Sequence, residues 1–336
     1  MGRLPAGAGG AEHQRPHPHR GRHRDPALAD PDRRRAGAGA ATALGVALAR
    51  GLAAALARLP ATLALGLGRR LGDLAALALP RRRRVTLANV ALAFPELTPA
   101  ERRCLARRSW QHLGMTLVEL ARLLARPLDA TLGELTFEGL EHLRRVMDEH
   151  GRALILTAHL GNWEYLTAAS RLAGYPLSVV IRPLDSPALD ALADAMRRKT
   201  GAALIDKRGA LRPVLEALRR GGLVGILLDQ NAARREGVFV PFFGRAASTS
   251  RSLALLALRT GAPVLPIFIR REGPGRHRVV IEPPLARPTV NDPEQAVVEL
   301  TTRCTQAIEA AIRSAPEQWL WSHDRWRTRP PASAPV

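Results

Sequence analysis

Beyond about Thr136 the chain alternates short runs of branched apolar residues with longer stretches in which apolar residues recur every three or four positions. That alternation points to the α/β class, with a mixed, largely parallel central sheet flanked by helices. The strand-like runs are Ala153 to Thr157, Leu177 to Ile181, Gly225 to Leu228, Val238 to Val240, Val264 to Ile269 and Val279 to Ile281. Helical periodicity fits Trp163 to Leu172, Ala188 to Arg198, Leu211 to Arg219, Arg251 to Thr260 and Glu294 to Ile312. With 336 residues, 46% of them hydrophobic, the chain can bury a sizeable core without covalent staples. Its two cysteines, Cys104 and Cys304, lie far apart with no CxxC or Cys/His spacing, which indicates neither zinc nor a disulfide framework.

Upstream the texture changes. Residues 1–37 are rich in Arg, His, Pro and Gly and lack apolar periodicity, as a disordered basic tail does. His13, His17, His19 and His23 are spaced irregularly there, which fits a solvated tail better than a metal site, and no apolar core of a signal peptide follows. Residues 38–80 turn to Ala and Leu, interrupted by Arg50, Arg58 and Pro60, with no clean run of about 18 uncharged apolar residues. Arg50 and Arg58 fall near one helical face. The stretch therefore reads as a membrane-associated helical segment, lying in the interface or crossing at a tilt with its arginines snorkelling. Arg69, Arg70 and the block Arg81 to Arg84 border it, as basic clusters do where a protein meets an anionic leaflet. The main domain then covers 81–330, and 331–336 is a short tail. Inside it, Thr98 to Leu124 reads as one long helix, with Thr98 as cap and Glu101 completing a capping box.

The formal charge of +20 calls for an anionic partner: nucleic acid, an acidic membrane surface or a phosphorylated substrate. Lys199 and Lys207 are the only lysines, so the basic residues are almost all arginine, and part of the excess is compositional. Nucleic-acid binding is the weaker reading, because aromatic content is only 4% and no basic helix with readable groove spacing appears.

The most informative stretch is ALILTAHLGNWEYLTAA. A buried strand ends at His159, a turn carries Gly161 and Asn162, and a helix begins near Glu164. Ligands in α/β sheets gather at the carboxyl ends of strands, where His159 stands. If the chain bends between them, the Glu164 carboxylate can reach the imidazole Nδ1–H and leave Nε2 free to take a proton from an attacking hydroxyl. No protein nucleophile accompanies this pair, so the substrate brings its own hydroxyl or amine. Backbone N–H groups around Gly161 and Asn162 are candidates to bind an anion or a developing oxyanion. The plain alternative is a histidine at a strand end and a glutamate in a helix's first turn. No third ligand pairs with His159 at a recognisable metal spacing, which speaks against a metal-dependent hydrolase.

HLGNWE, together with VVIRPLDSPALD, GILLDQNAARREGVFVPFFGRAAST, GAPVLPIFIRR and PEQWLWSHDRWRTRP, resembles the bacterial lipid A biosynthesis acyltransferases, within the larger glycerolipid acyltransferase superfamily. The resemblance runs from about Leu52 to Pro330. It implies a glycerolipid-acyltransferase-like fold and an enzyme on the cytoplasmic face of the inner membrane. That enzyme moves a fatty acyl chain from acyl carrier protein or acyl-coenzyme A to a glycolipid hydroxyl, without a further cofactor. In it His159 matches the catalytic histidine, Glu164 its acidic partner, Arg182 an active-site arginine, and Asp229 and Gln230 the Asp-Gln pair. Ser186 stands where the pattern usually has asparagine. A guanidinium at a strand end, such as Arg182, suits an oxyanion or a phosphate, or simply a surface salt bridge.

Phe239, Phe242 and Phe243 are candidates for an acyl-channel wall or for plain core. Trp319, Trp321 and Trp326 fit a membrane interface or packing against the domain equally well, and His323 reads as structural. A lysophospholipid or a phosphatidylinositol mannoside is the alternative acceptor.

Overall fold

The computed structural model describes residues 45 and 47–331, apart from 134, 176 and 182–186. The basic tail 1–37, the expected boundary at 38, residues 332–336 of the expected C-terminal tail, and the candidates Arg182 and Ser186 lie outside the described residues.

In chain order the elements are α1 (47–58), α2 (Ala61–Ala78), α3 (Pro80–Ala93), α4 (Pro99–Ala125), α5 (Leu128–Leu132), β1 (Leu135–Glu138), α6 (Leu140–His150) and β2 (Ala153–Thr157). They continue with α7 (Tyr165–Ala173), β3 (Leu177–Ile181), α8 (Pro187–Lys199), β4 (Ala203–Asp206), α9 (Leu211–Arg219), β5 (Leu223–Leu227) and a hairpin of β6 (Gly237–Phe242) and β7 (Arg245–Ser250). The chain closes with α10 (Ser252–Thr260), β8 (Val264–Gly273), β9 (Arg276–Ile281) and α11 (Pro293–Ser314). The main sheet has the order β1-β9-β8-β2-β5-β3-β4. Its neighbours run parallel except β8 and β9, so the sheet is mixed and largely parallel, as the alternation of the sequence requires.

β2 lies inside this sheet, and every one of its residues is buried. Leu154 and Leu156 enter the core shared with α9, α10 and α11, while Ala153 and Ile155 enter the core shared with α6 and α7. A strand covered on both faces has to be apolar throughout, which is why ALILT carries no polar alternation. Burying each such Leu or Ile contributes about 1.5–3 kcal/mol. The long helix expected from Thr98 forms as α4, and the Thr98–Glu101 capping box is complete.

The described part of the segment 38–80 packs against α4. Helix α2 crosses α4 at glycines, where a Cβ on Gly72 would sit 2.1 Å from the Trp110 carbonyl oxygen and one on Gly114 2.1 Å from that of Gly68. Asp73 pairs with Arg107 at 2.9 Å across the same crossing. Arg122 of α4 is buried and donates to the carbonyls of Leu56 and Leu59 at 2.7 Å each, capping the end of α1 with a positive charge where the helix dipole is negative. On the outer side Leu63, Leu67, Leu71, Leu74 and Leu77 are all exposed. At 100° per residue they share an arc of about 120°. Among the described residues no helix is long and apolar enough to cross a membrane.

Candidate active site

His159 follows β2 by two residues, and Asp229 follows β5 by two. These strands are parallel neighbours with Thr157 opposite Leu227, so the register carried past both ends sets the two side chains side by side. Asp229 Oδ1 lies 2.8 Å from His159 Nδ1. Its other oxygen, Oδ2, accepts the His159 backbone N–H at 2.9 Å and the Trp319 indole N–H at 2.7 Å. Burial pushes the Asp229 carboxyl up, but the adjacent imidazole and these donors outweigh it and hold the group at about 2. A charged carboxylate at Nδ1 keeps a proton on that nitrogen, so in the neutral imidazole the lone pair lies on Nε2. Gln230 Nε2 stands 3.4 Å from that nitrogen. The His159 side chain is 19% exposed and that of Asp229 only 2%, so the imidazole opens to solvent from a sealed carboxylate. Trp163 packs edge-on at 5.0 Å between ring centroids.

Glu164 does not make the contact expected of it. Its carboxylate is held by Arg197 of α8, with Nη2 at 2.5 Å and Nε at 3.0 Å, in a bidentate pair that both side chains largely bury. The bend between His159 and Glu164 exists, but it turns Glu164 toward α8, and the imidazole takes its carboxylate from the neighbouring strand end.

The expected N–H anion cradle is corrected at Gly161. The Gly161 N–H donates to the Gln318 carbonyl at 3.0 Å, so it is spent inside the fold. Asn162 is fully buried and its Nδ2 donates to Glu119 Oε2 at 3.0 Å. Glu119 is itself gripped by Arg271 through two contacts of 2.6 Å, and this ion pair draws its carboxyl below the ordinary range against the opposing effect of burial. Gly161 has φ +61°, and a Cβ there would stand 2.0 Å from the Ile269 carbonyl oxygen, so only glycine fits the turn.

The C-terminal segment forms a wall of the site. Leu160 and Trp319 make an isolated antiparallel bridge, and the Leu320 N–H donates to the His159 carbonyl at 3.1 Å. Trp319 and Trp321 are buried and stack edge to face at 4.6 Å, so for these two the interface reading gives way to packing. Phe242 and Phe243 join the same aromatic cluster, while Phe239 is half-buried. Arg325 is fully buried, donates to the Ser248 carbonyl at 2.8 Å and lies over the Phe242 ring. His323 Nε2 accepts the Asn231 backbone N–H at 3.1 Å, and burial pushes its imidazole down to about 4, which fits the structural role read from sequence. Asn89 of α3 donates to the carbonyls of Trp321 and His323 at 2.8 and 2.6 Å, tying the segment down from the other side.

Sequence reading set Asp229 at the correct edge but assigned the histidine's partner to Glu164, and it missed Trp319, Glu119 and Arg197 as parts of the site. A signal for Asp229 was present: two apolar strands of one sheet, each followed two residues later by a titratable group.

The family model described as bacterial lipid A biosynthesis acyltransferase matches residues 39–328. The chain is 30% identical over 276 residues to a lipid A biosynthesis lauroyltransferase of Escherichia coli, a match covering 81% of this chain and 88% of that protein. It is 29% identical to a lipid A biosynthesis palmitoleoyltransferase of the same organism, over 79% of this chain and 85% of that one. A lipid A biosynthesis myristoyltransferase, also from Escherichia coli, is 25% identical over 74% and 76% of the respective chains.

Proposed function

Because this chain belongs to the bacterial lipid A biosynthesis acyltransferase family and is an acyltransferase, we propose that it moves a fatty acyl chain from an acyl thioester to a hydroxyl of a lipid A precursor. The observation that carries the reading is the imidazole of His159, with Nδ1 bound to Asp229 and Nε2 open to solvent at the end of β2.

In this mechanism the acceptor hydroxyl displaces the Gln230 amide and gives its proton to Nε2 as its oxygen forms a bond to the thioester carbonyl carbon. Asp229 holds the tautomer and stabilises the imidazolium that results. The carbon–sulfur bond then breaks, and the imidazolium returns the proton to the departing thiolate. Arg182, after β3 in the sequence, remains the proposed charge partner for the oxyanion or for a substrate phosphate. Acyl carrier protein or acyl-coenzyme A is the proposed donor.

The exposed leucines of α2 support a site of action at the cytoplasmic face of the inner membrane. Arg70 stands within their arc, and Arg81 to Arg84 follow in sequence and open α3 with no acidic residue in the first turn. Cations at the positive end of a helix cost about 0.3–1 kcal/mol each, and an anionic surface offsets that cost. Exchange of Leu67, Leu71 and Leu74 for Gln releases the protein from anionic vesicles in a flotation assay; unchanged flotation removes the membrane reading.

For the chemistry, wild type and His159→Ala are incubated with mixed acyl thioesters and glycolipid or lysophospholipid acceptors, and the products are identified by mass spectrometry. The wild type acylates the glycolipid, and His159→Ala is folded and inactive. Retained turnover by the variant, or acylation of the lysophospholipid alone, overturns the proposal.

A further inference from the structure

We infer that Trp319 is a positioning residue of the reaction: its indole N–H fixes the second oxygen of Asp229 and so sets how the carboxylate meets His159. The inference rests on His159 and Asp229 acting as proposed above.

The geometry is specific. Trp319 is 2% exposed, and its Nε1 donates to Asp229 Oδ2 at 2.7 Å, while Oδ1 is left to the imidazole. The residue cannot drift, because the segment around it is tied to the catalytic turn on both flanks. On one side the Gln318 carbonyl takes the Gly161 N–H at 3.0 Å. The Gln318 side chain also pairs with the Arg271 backbone, accepting its N–H at 2.8 Å and donating to its carbonyl at 3.0 Å. On the other side the Leu320 N–H reaches the His159 carbonyl at 3.1 Å. Arg271 in turn grips Glu119, which receives the Asn162 amide. Trp319 is therefore delivered to the carboxylate by the same framework that holds the turn after β2.

An N–H bound to a carboxylate withdraws charge from it. Removing that donor leaves Asp229 more basic, so it favours the protonated form of the imidazole. Less of the enzyme then carries a free Nε2 at a given pH, and the acid limb of activity moves upward. Besides His159, the field of Asp229 reaches two titratable groups, His323 and Arg325, and both keep their own partners.

Trp321 supplies the matched control. It lies in the same aromatic cluster, is fully buried, and spends its indole N–H on the Pro316 carbonyl at 2.7 Å, away from the catalytic pair. Trp319→Phe is expected to lower kcat about tenfold with KM within twofold. It also shifts the acid limb of kcat/KM upward by about half a pH unit. Trp319→Tyr, which restores a hydroxyl donor, recovers most of both, and Trp321→Phe leaves the acid limb where it is. If Trp319→Phe does not fold, benzothienylalanine at 319 removes only the N–H and keeps the shape. Equal losses in the two Phe variants without a limb shift, or an unchanged Trp319→Phe, overturn the inference while leaving His159 as base; activity in His159→Ala overturns the parent reading instead.

Discussion

The end of β5 and the start of α7 each bring one carboxylate to the neighbourhood of His159, and only the first touches it. Asp229 comes from a strand seventy residues away in sequence, yet the parallel register with β2 makes contact with the imidazole almost unavoidable. Glu164 is five residues from the histidine and turns away, because the Arg197 guanidinium on α8 holds its carboxylate in a bidentate pair. The two carboxylates differ in consequence. One is sealed, held by N–H groups and bound to Nδ1, across the ring from the reacting Nε2; the other locks the first turn of a helix to its neighbour. Closeness along the chain is a poor guide to which acid serves a base at the edge of a sheet.

That contrast can be broken most directly at Asp229. Asp229→Asn keeps the shape of the side chain but no longer demands a proton on Nδ1, and kcat is expected to fall about ten-thousandfold, as loss of the orienting acid does in triad enzymes. Steady-state kinetics with a purified acyl donor measures it; a loss smaller than that of Glu164→Gln would reverse the roles assigned to the two acids.

The smaller effect belongs to the Glu164–Arg197 pair. Glu164→Ala and Arg197→Ala are each expected to reduce activity about tenfold, with the double variant no worse than either single one, as for residues acting as a unit. Fully multiplied losses in that cycle would mean that Glu164 reaches the reaction by a route other than Arg197.

Much of the architecture could be read from the chain. Ala153–Thr157 and Leu177–Ile181 form strands at the predicted limits; the first is buried throughout, and a run that must be covered on both faces has few alternatives inside the sheet. β1, β4 and β7 were missed. Arg245–Ser250 has almost no apolar pattern and is a strand because β6 pairs with it residue for residue. The position of His159 was legible from its strand, and the family from several motifs together. The contacts of Gly161, Asn162 and Glu164 were not, because each is decided by a residue far away in sequence: Gln318, Glu119 and Arg197. Local pattern predicts where the chain bends, whereas the choice of hydrogen-bond partner belongs to tertiary packing.

The bond from Trp319 to Asp229 spans ninety positions of the sequence, and that from Asn89 to Trp321 spans 232. During synthesis the histidine and its aspartate leave the ribosome long before the indole that steadies them. A nascent chain stalled within α11 holds His159 and Asp229 without their clasp, so the full hydrogen-bonded arrangement arrives late in translation.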